Sequence, residues 1–185
     1  DVTQTVYVNK GLTLRGGYTI TDWSASYPPT QPTTLDADGG GRVLYLTGGG
    51  EVTLENLHIT GGRFTTGRGG GIYNDDVSLT LSDTIVSNNF VTGTHPDGWG
   101  GGVYVDGAGS VTLDGSATQI ISNSAAYGGG GVFVTQPGKV TLKAGQINGN
   151  AALGTEVNRS GGGGVYLGGA ATLDMSGGEI SANYT

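Results

Sequence analysis

Carboxylates gathered beside a cation would let a chain cleave polysaccharide or hold calcium: the acids act as acid, base or metal ligands, and an arginine or lysine orients the substrate's charge. In this sequence of 185 residues the acids Asp75, Asp76, Asp106, Asp114 and Asp174 are scattered through a repeating pattern, and Arg63, Arg68, Lys139, Lys143 and Arg159 do not recur at matching places in it. His58 and His95 have no acid or nucleophile at a spacing that suggests a relay. The sequence therefore predicts no catalytic residue, no metal ligand and no cofactor. Asn158-Arg159-Ser160 and Asn183-Tyr184-Thr185 match the N-glycosylation acceptor, a triplet common by chance.

Charge narrows the partners further. Eight Lys and Arg against 15 Asp and Glu leave a net charge of −7, which argues against nucleic acid or an anionic membrane surface. No stretch is apolar for the roughly 20 residues that a helical span takes, so membrane insertion is not expected. The start lacks the basic and apolar regions of a signal peptide, as a mature, soluble chain would. The absence of cysteine leaves the redox compartment open, although an acidic chain rich in Thr, Asn and Gly suits a secreted or cell-surface location.

What would position any of these residues is a repeat. Residues 99–123 read as a Gly run, Val103-Tyr104-Val105, Val111-Thr112-Leu113 and Ile120-x-x-Asn123, and the rest of the chain copies that unit. Copies appear at Ile72-Tyr73, Leu79-Thr80-Leu81 and Ile85-x-x-Asn88, at Val132-Phe133-Val134, Val140-Thr141-Leu142 and Ile147-x-x-Asn150, and at Val165-Tyr166-Leu167, Ala171-Thr172-Leu173 and Ile180-x-x-Asn183. Leu44-Tyr45-Leu46, Val52-Thr53-Leu54 and Ile59-x-x-Gly62 form a weaker copy, and Val6-Tyr7-Val8 with Leu12-Thr13-Leu14 a partial one. A period of this length signals a solenoid. The prediction is an all-β, right-handed parallel β-helix of about six coils, period about 27–33, as one domain over 1–185. Its parts are a first partial coil at 1–14, a long side loop at 15–41 and regular coils over 42–185. Tyr27-Pro28-Pro29 and Gln31-Pro32 forbid a central strand in the loop, Trp23 offers it a covering side chain, and Thr34-Leu35 rejoins the helix.

Three columns follow from stacking. Asn88, Asn123, Asn150 and Asn183 form an amide ladder at a tight corner, where asparagine tolerates left-handed backbone. Tyr7, Tyr45, Tyr73, Tyr104, Phe133 and Tyr166 form an outward aromatic ladder. It serves either strand stacking or contact with sugars and other surfaces. Thr13, Thr53, Thr80, Thr112, Thr141 and Thr172 form one threonine column, short of the two-column T-x-T array of ice-binding β-helices; stacking of β-branched side chains accounts for it.

The motif G-G-G-[IV]-[YF] followed by I-x-x-N, over roughly 39–183, resembles the GGA[ILV] and FxxN repeats of the polymorphic outer-membrane adhesins. More broadly it resembles the right-handed parallel β-helices of surface and pectate-lyase-like proteins. The resemblance implies the fold, and through its relatives either a surface role or polysaccharide cleavage. Ile replaces Phe and a third Gly replaces Ala, and without a β-barrel translocator the membrane anchoring of those adhesins is not implied.

Neither end carries an amphipathic capping helix, and Asn183-Tyr184-Thr185 written against Asp1-Val2-Thr3 reads as an uninterrupted repeat. An open rung recruits another chain. The sequence thus predicts a non-enzymatic extracellular subunit that is its own partner, stacking head to tail into a filament through Val2, Val6, Tyr7, Val8, Val165, Tyr166, Leu173, Ile180 and Asn183. The alternative is a segment of a longer cell-surface adhesin whose loops bind a glycan or host surface; a polysaccharide lyase or hydrolase is a third.

Overall fold

A strand of three to five residues gains little alone, so such segments become stable only by pairing with equivalents above and below, about 4.8 Å away. The computed structural model describes residues 4–27, 30–93, 95–154 and 161–185, and its described elements are all strands. The chain winds through four parallel sheets in a fixed order. Sheet A stacks Gln4–Val8, Arg42–Leu46, Ile72–Asp75, Val103–Asp106, Val132–Val134 and Val165–Leu167. Sheet B stacks Leu12–Arg15, Glu51–Glu55, Ser78–Ser82, Ser110–Asp114, Lys139–Leu142 and Thr172–Met175, and sheet C stacks Thr33–Asp36, Leu57–Thr60, Ile85–Ser87, Gln119–Ile121, Gln146–Asn148 and Glu179–Ser181. Sheet D is shorter: Arg63–Phe64, Phe90–Val91, Ser124–Ala125 and Ala151–Ala152.

The protein is a parallel β-helix, as the repeat predicts. About four turns are complete, each with a strand in all four sheets; the expected six coils counted the first and last turns, which lack a sheet D strand, as whole. Sheet D itself is invisible in the pattern, because two-residue strands such as Ser124–Ala125 leave no alternation to read.

Inward positions form columns. Leu44, Ile72, Val103 and Val132 stack in sheet A, Val52, Leu79, Val111 and Val140 in sheet B, and Ile59, Val86, Ile120 and Ile147 in sheet C. All are fully or almost fully buried. Each removes a side chain from water worth about 1.5–3 kcal/mol, summed along a column rather than around a ball. One column is interrupted by Asn74, buried between Leu46 and Val105. Its amide accepts from Val77 N–H at 2.9 Å and donates to the Val77 and Ser110 carbonyls at 2.9 Å, so the polar group is satisfied.

Registers correct two predicted columns. Ile120 aligns with Val86, not Ile85, so the ladder residue in that turn is Asn89 and not Asn88. The left-handed corner falls one residue before the ladder, at Gly61, Asn88, Ser122, Gly149 and Ala182, with φ of 71°, 54°, 55°, 61° and 49°. Two adjacent asparagines and two adjacent β-branched residues made the turn readable in either frame. In the last turn Val140 aligns with Leu173 and Thr141 with Asp174, so Thr172 lies outside the threonine column.

The long loop is shorter than 15–41. Arg15 still belongs to sheet B, Gly16 donates to the Glu55 carbonyl at 2.8 Å, and Thr33–Asp36 is a full sheet C strand that begins just before Thr34-Leu35. Trp23 covers nothing in the core: it is 75% exposed and stacks on Tyr18.

Candidate binding face on sheet A

Residues in register on the outer side of a parallel sheet sit one strand spacing apart, the distance at which aromatic rings stack. The six predicted aromatics of sheet A do so without a break. Successive centroids lie 5.6, 5.2, 5.2, 5.1 and 4.9 Å apart from Tyr7 through Tyr45, Tyr73, Tyr104 and Phe133 to Tyr166. The ladder points away from the core, yet it is not the open stripe that was expected. Tyr7 is 54% exposed, but Tyr104 and Phe133 are only 2% and 8% exposed.

Loop side chains close over it. Trp99 lies 4.9 Å from Phe133 and 5.6 Å from Tyr166, and its indole N–H donates to the Pro96 carbonyl at 2.9 Å. The Arg68 guanidinium stands over Tyr104 and donates to its hydroxyl at 3.0 Å. Arg42, at the start of its sheet A strand, places its guanidinium 4.7 Å from the Tyr73 ring centre and 4.8 Å from that of Phe64. Because ring faces are stacked on one another, a sugar could lie flat only at an end of the ladder, against Tyr7 or Tyr166, and of the two Tyr7 is the exposed one.

Two acids that looked scattered are neighbours. Asp75 and Asp106 pair across adjacent sheet A strands, each two residues after its turn's ladder tyrosine. Tyr45 and Thr47 hydroxyls donate to Asp75 at 3.0 and 2.9 Å, and Tyr73 donates to Asp106 at 2.5 Å, joined by Thr135 at 3.2 Å. Burial, aided by these carboxylates, pushes the phenols of Tyr45 and Tyr73 above their ordinary range. Two like charges at strand spacing are tolerated here because each is held by hydroxyl donors. The shared spacing Tyr73-x-Asp75 and Tyr104-x-Asp106 was the available signal in the sequence.

Removing the Tyr73 hydroxyl isolates one of these bonds. Tyr73→Phe is expected to lower unfolding stability by about 1.5–3 kcal/mol near neutral pH, the usual range for a hydrogen bond to a charged group. Since the folded phenol titrates above the unfolded value of about 10, its contribution is present below that pH and is lost as pH rises beyond it. Urea melts of the two proteins should therefore differ at pH 7 and draw together progressively as the pH rises above 10; a Tyr73→Phe protein as stable as the parent at pH 7 would show that the bond contributes nothing.

The remaining acids and bases pair locally. Lys143 meets Asp114 at 3.2 Å and Lys139 meets Asp174 at 2.5 Å on the outer face of sheet B, and Asp76 accepts from Ala108 N–H at 2.7 Å. Arg63 is exposed on sheet D. His58 does have a partner that the sequence did not reveal: its Nε2 lies 2.8 Å from the Ser87 hydroxyl one turn away, and burial lowers its basicity. His95 stands edge-on to Tyr127. Among the described residues no three His, Cys, Asp or Glu side chains gather as a metal site. Asn158-Arg159-Ser160 and Val2 lie outside the described residues.

The amide ladder runs through Asn89, Asn123, Asn150 and Asn183. The side-chain oxygens of Asn123, Asn150 and Asn183 each accept from the backbone N–H and the side-chain amide of the asparagine one turn earlier, at 2.9–3.0 Å, and that of Asn89 accepts from the Gly62 N–H at 2.9 Å. The Asn183 amide donates to the Ile147 and Ser181 carbonyls at 2.8 Å, so the Asn183-Tyr184-Thr185 triplet does not present a free acceptor. Of the residues expected at the ends, Val6, Val165, Tyr166, Leu173, Ile180 and Asn183 are half-buried, Tyr7 is exposed, and Val8 is buried.

Comparison with protein-family models, with curated proteins and with solved structures finds no match to this chain. The likeness to adhesin and pectate-lyase-like repeats therefore rests on the repeat motif and the parallel β-helix, and assigns no family.

Proposed function

We propose that this protein is a non-catalytic, extracellular structural β-helix that stacks end to end through its terminal turns into a filament. The observation that supports it is the state of those turns. Gln4–Val8, Leu12–Arg15 and Thr33–Asp36 at one end, and Val165–Leu167, Thr172–Met175 and Glu179–Ser181 at the other, each pair on one side only among the described residues. Val6, Leu12, Leu14 and Leu35, with Val165, Leu173 and Ile180, are half-buried where the same columns are closed inside. A further turn laid on either edge would complete both the hydrogen bonding and the burial. The two edges run in the same direction and the same A, B, C order, so one end of a copy fits the opposite end of the next, and a contact of this kind grows without closing. Tyr166 of one copy would then continue the aromatic ladder onto Tyr7 of another.

A second reading, further turns in a longer adhesin chain, draws on the amide ladder. It arrives intact at Asn183, while the corner of the first turn reads Ala37-Asp38-Gly39-Gly40-Gly41 and offers no asparagine to a second copy. Electron microscopy and sedimentation of the purified 185-residue chain at micromolar concentration separate the two. Self-stacking predicts fibres with an axial repeat on the order of 30 Å for six rungs. It also predicts that Val6→Asp or Ile180→Asp keeps the β-sheet circular dichroism and abolishes the fibres. A parent protein that stays monomeric counts against self-stacking and leaves the longer array.

A further inference from the structure

Arg42 is 5% exposed, and an arginine is rarely buried unless paired. Its Nε donates to the Gly69 carbonyl at 3.0 Å and Nη2 to the Arg68 carbonyl at 2.7 Å, while Nη1 donates to no described residue. No carboxylate among the described residues forms an ion pair with it. Ring faces of Phe64, Tyr73 and Tyr45 share its charge without neutralising it. Burial lowers its pKa to about 10, so it remains a cation at neutral pH, held in a place where a cation is costly.

The same side chain lines a cleft of about 460 Å³ with Gln4, Tyr7, Tyr45 and Tyr73. That volume falls in the range of small-molecule sites. The walls differ in chemistry. Tyr45 and Tyr73 spend their hydroxyl protons on Asp75 and Asp106, so their oxygens are left as acceptors. The Gln4 amide supplies both a donor and an acceptor, and Tyr7 offers one ring face on which no described residue stacks, the other lying on Tyr45. A planar guanidinium with a free edge matches a carboxylate, the tyrosine oxygens match hydroxyl donors, and the Tyr7 face matches the C–H face of a sugar ring. The carboxylates of Asp75 and Asp106 behind the tyrosines disfavour a doubly charged group such as phosphate.

We propose that this cleft binds a sugar carrying one carboxylate, with Arg42 as the anion contact and Tyr7 as the platform. End-to-end stacking would cover the same outer face of Tyr7, so the site is open only in unstacked protein and at one end of a fibre. Where the parent forms fibres, the test is made in the Ile180→Asp background, which leaves the cleft residues unchanged.

The test is an NMR titration of the whole chain at constant ionic strength with three probes: glucuronate, glucose and acetate. Glucuronate is expected to shift the Tyr7, Tyr45 and Tyr73 ring signals and the Arg42 Nε–H saturably, at least about tenfold more tightly than glucose or acetate. Arg42→Gln should abolish that preference over glucose. Since Arg42 is also part of the wall, Tyr7→Ala at an exposed position is the second variant; it should weaken glucuronate several-fold with the remaining spectrum unchanged. Acetate binding as tightly as glucuronate would mean a site for any carboxylate and overturns the sugar assignment. Glucose binding as tightly removes Arg42 as the anion contact, and no saturable shift with glucuronate overturns the proposal outright.

Discussion

Asn123→Ala is expected to cost about 3–5 kcal/mol, placing it among the most damaging single changes in the chain. Its side-chain oxygen accepts from the Asn89 backbone N–H and side-chain amide, both at 3.0 Å, and its amide donates to the Val86 carbonyl at 2.9 Å and to Asn150 at 3.0 Å. Alanine leaves the buried Asn89 N–H without the acceptor it has in this side chain, and an unsatisfied buried donor carries its full desolvation cost. The informative control is its neighbour in the sequence pattern. Asn89→Ala should be costly in the same way, whereas Asn88→Gly, at a left-handed corner with φ of 54°, should change stability by no more than about 0.5 kcal/mol. Urea melts followed by circular dichroism decide between them: a costly Asn88 variant beside a tolerated Asn89 variant would mean that the register is one residue away from the one described.

Gly101→Ala is the second large effect. A Cβ at that position would lie 2.3 Å from the Ser124 carbonyl oxygen, 2.5 Å from its carbon and 2.7 Å from the Gly130 oxygen. All three are backbone atoms, so no rotamer gives way, and the turn has to separate from the next along sheets A and D. We expect a loss of about 3 kcal/mol, at the upper end of overpacking. Gly49→Ala, with φ of 69° and nothing within 4 Å, measures the conformational term alone and should cost about 1 kcal/mol. If the two substitutions prove equal, steric closeness between turns is not what requires glycine at 101.

The fold was legible because its unit recurs, and an error in one turn is corrected by the others. Inward aliphatic residues at 44, 52, 72, 79, 103, 111, 132 and 140 needed only period-two alternation and a repeat length. Where the sequence misled, two frames were both apolar: Ile85-Val86 with Asn88-Asn89, and Ala171-Thr172-Leu173-Asp174, where hydrogen-bond register rather than residue type decides. The binding face was half legible. The aromatic column could be read from spacing, but its covering could not, because Arg42, Arg68 and Trp99 each occur once and reach it from strand start or loop. The pairing of Asp75 with Asp106 is encoded in their shared offset from Tyr73 and Tyr104, a signal that shows only when acids are placed by distance from the ladder.

The glycine seam between sheets D and A consists of backbone bonded to backbone. Gly71 donates to Gly101, Gly102 to Gly130 and Gly131 to Gly163, at 3.0, 3.0 and 2.9 Å. Identical surfaces carry no address, so nothing in the seam distinguishes one turn from the next, and a chain folding along it could accept the wrong neighbour at little local cost. What identifies each turn is the set of unrepeated side chains that the seam lacks. Arg42 reaches Phe64 and Tyr73, Arg68 reaches Tyr104, and Trp99 reaches Phe133 and Tyr166. These work as keys, each fitting particular rings in its own turn or the next one or two, and they give a periodic molecule an unambiguous order.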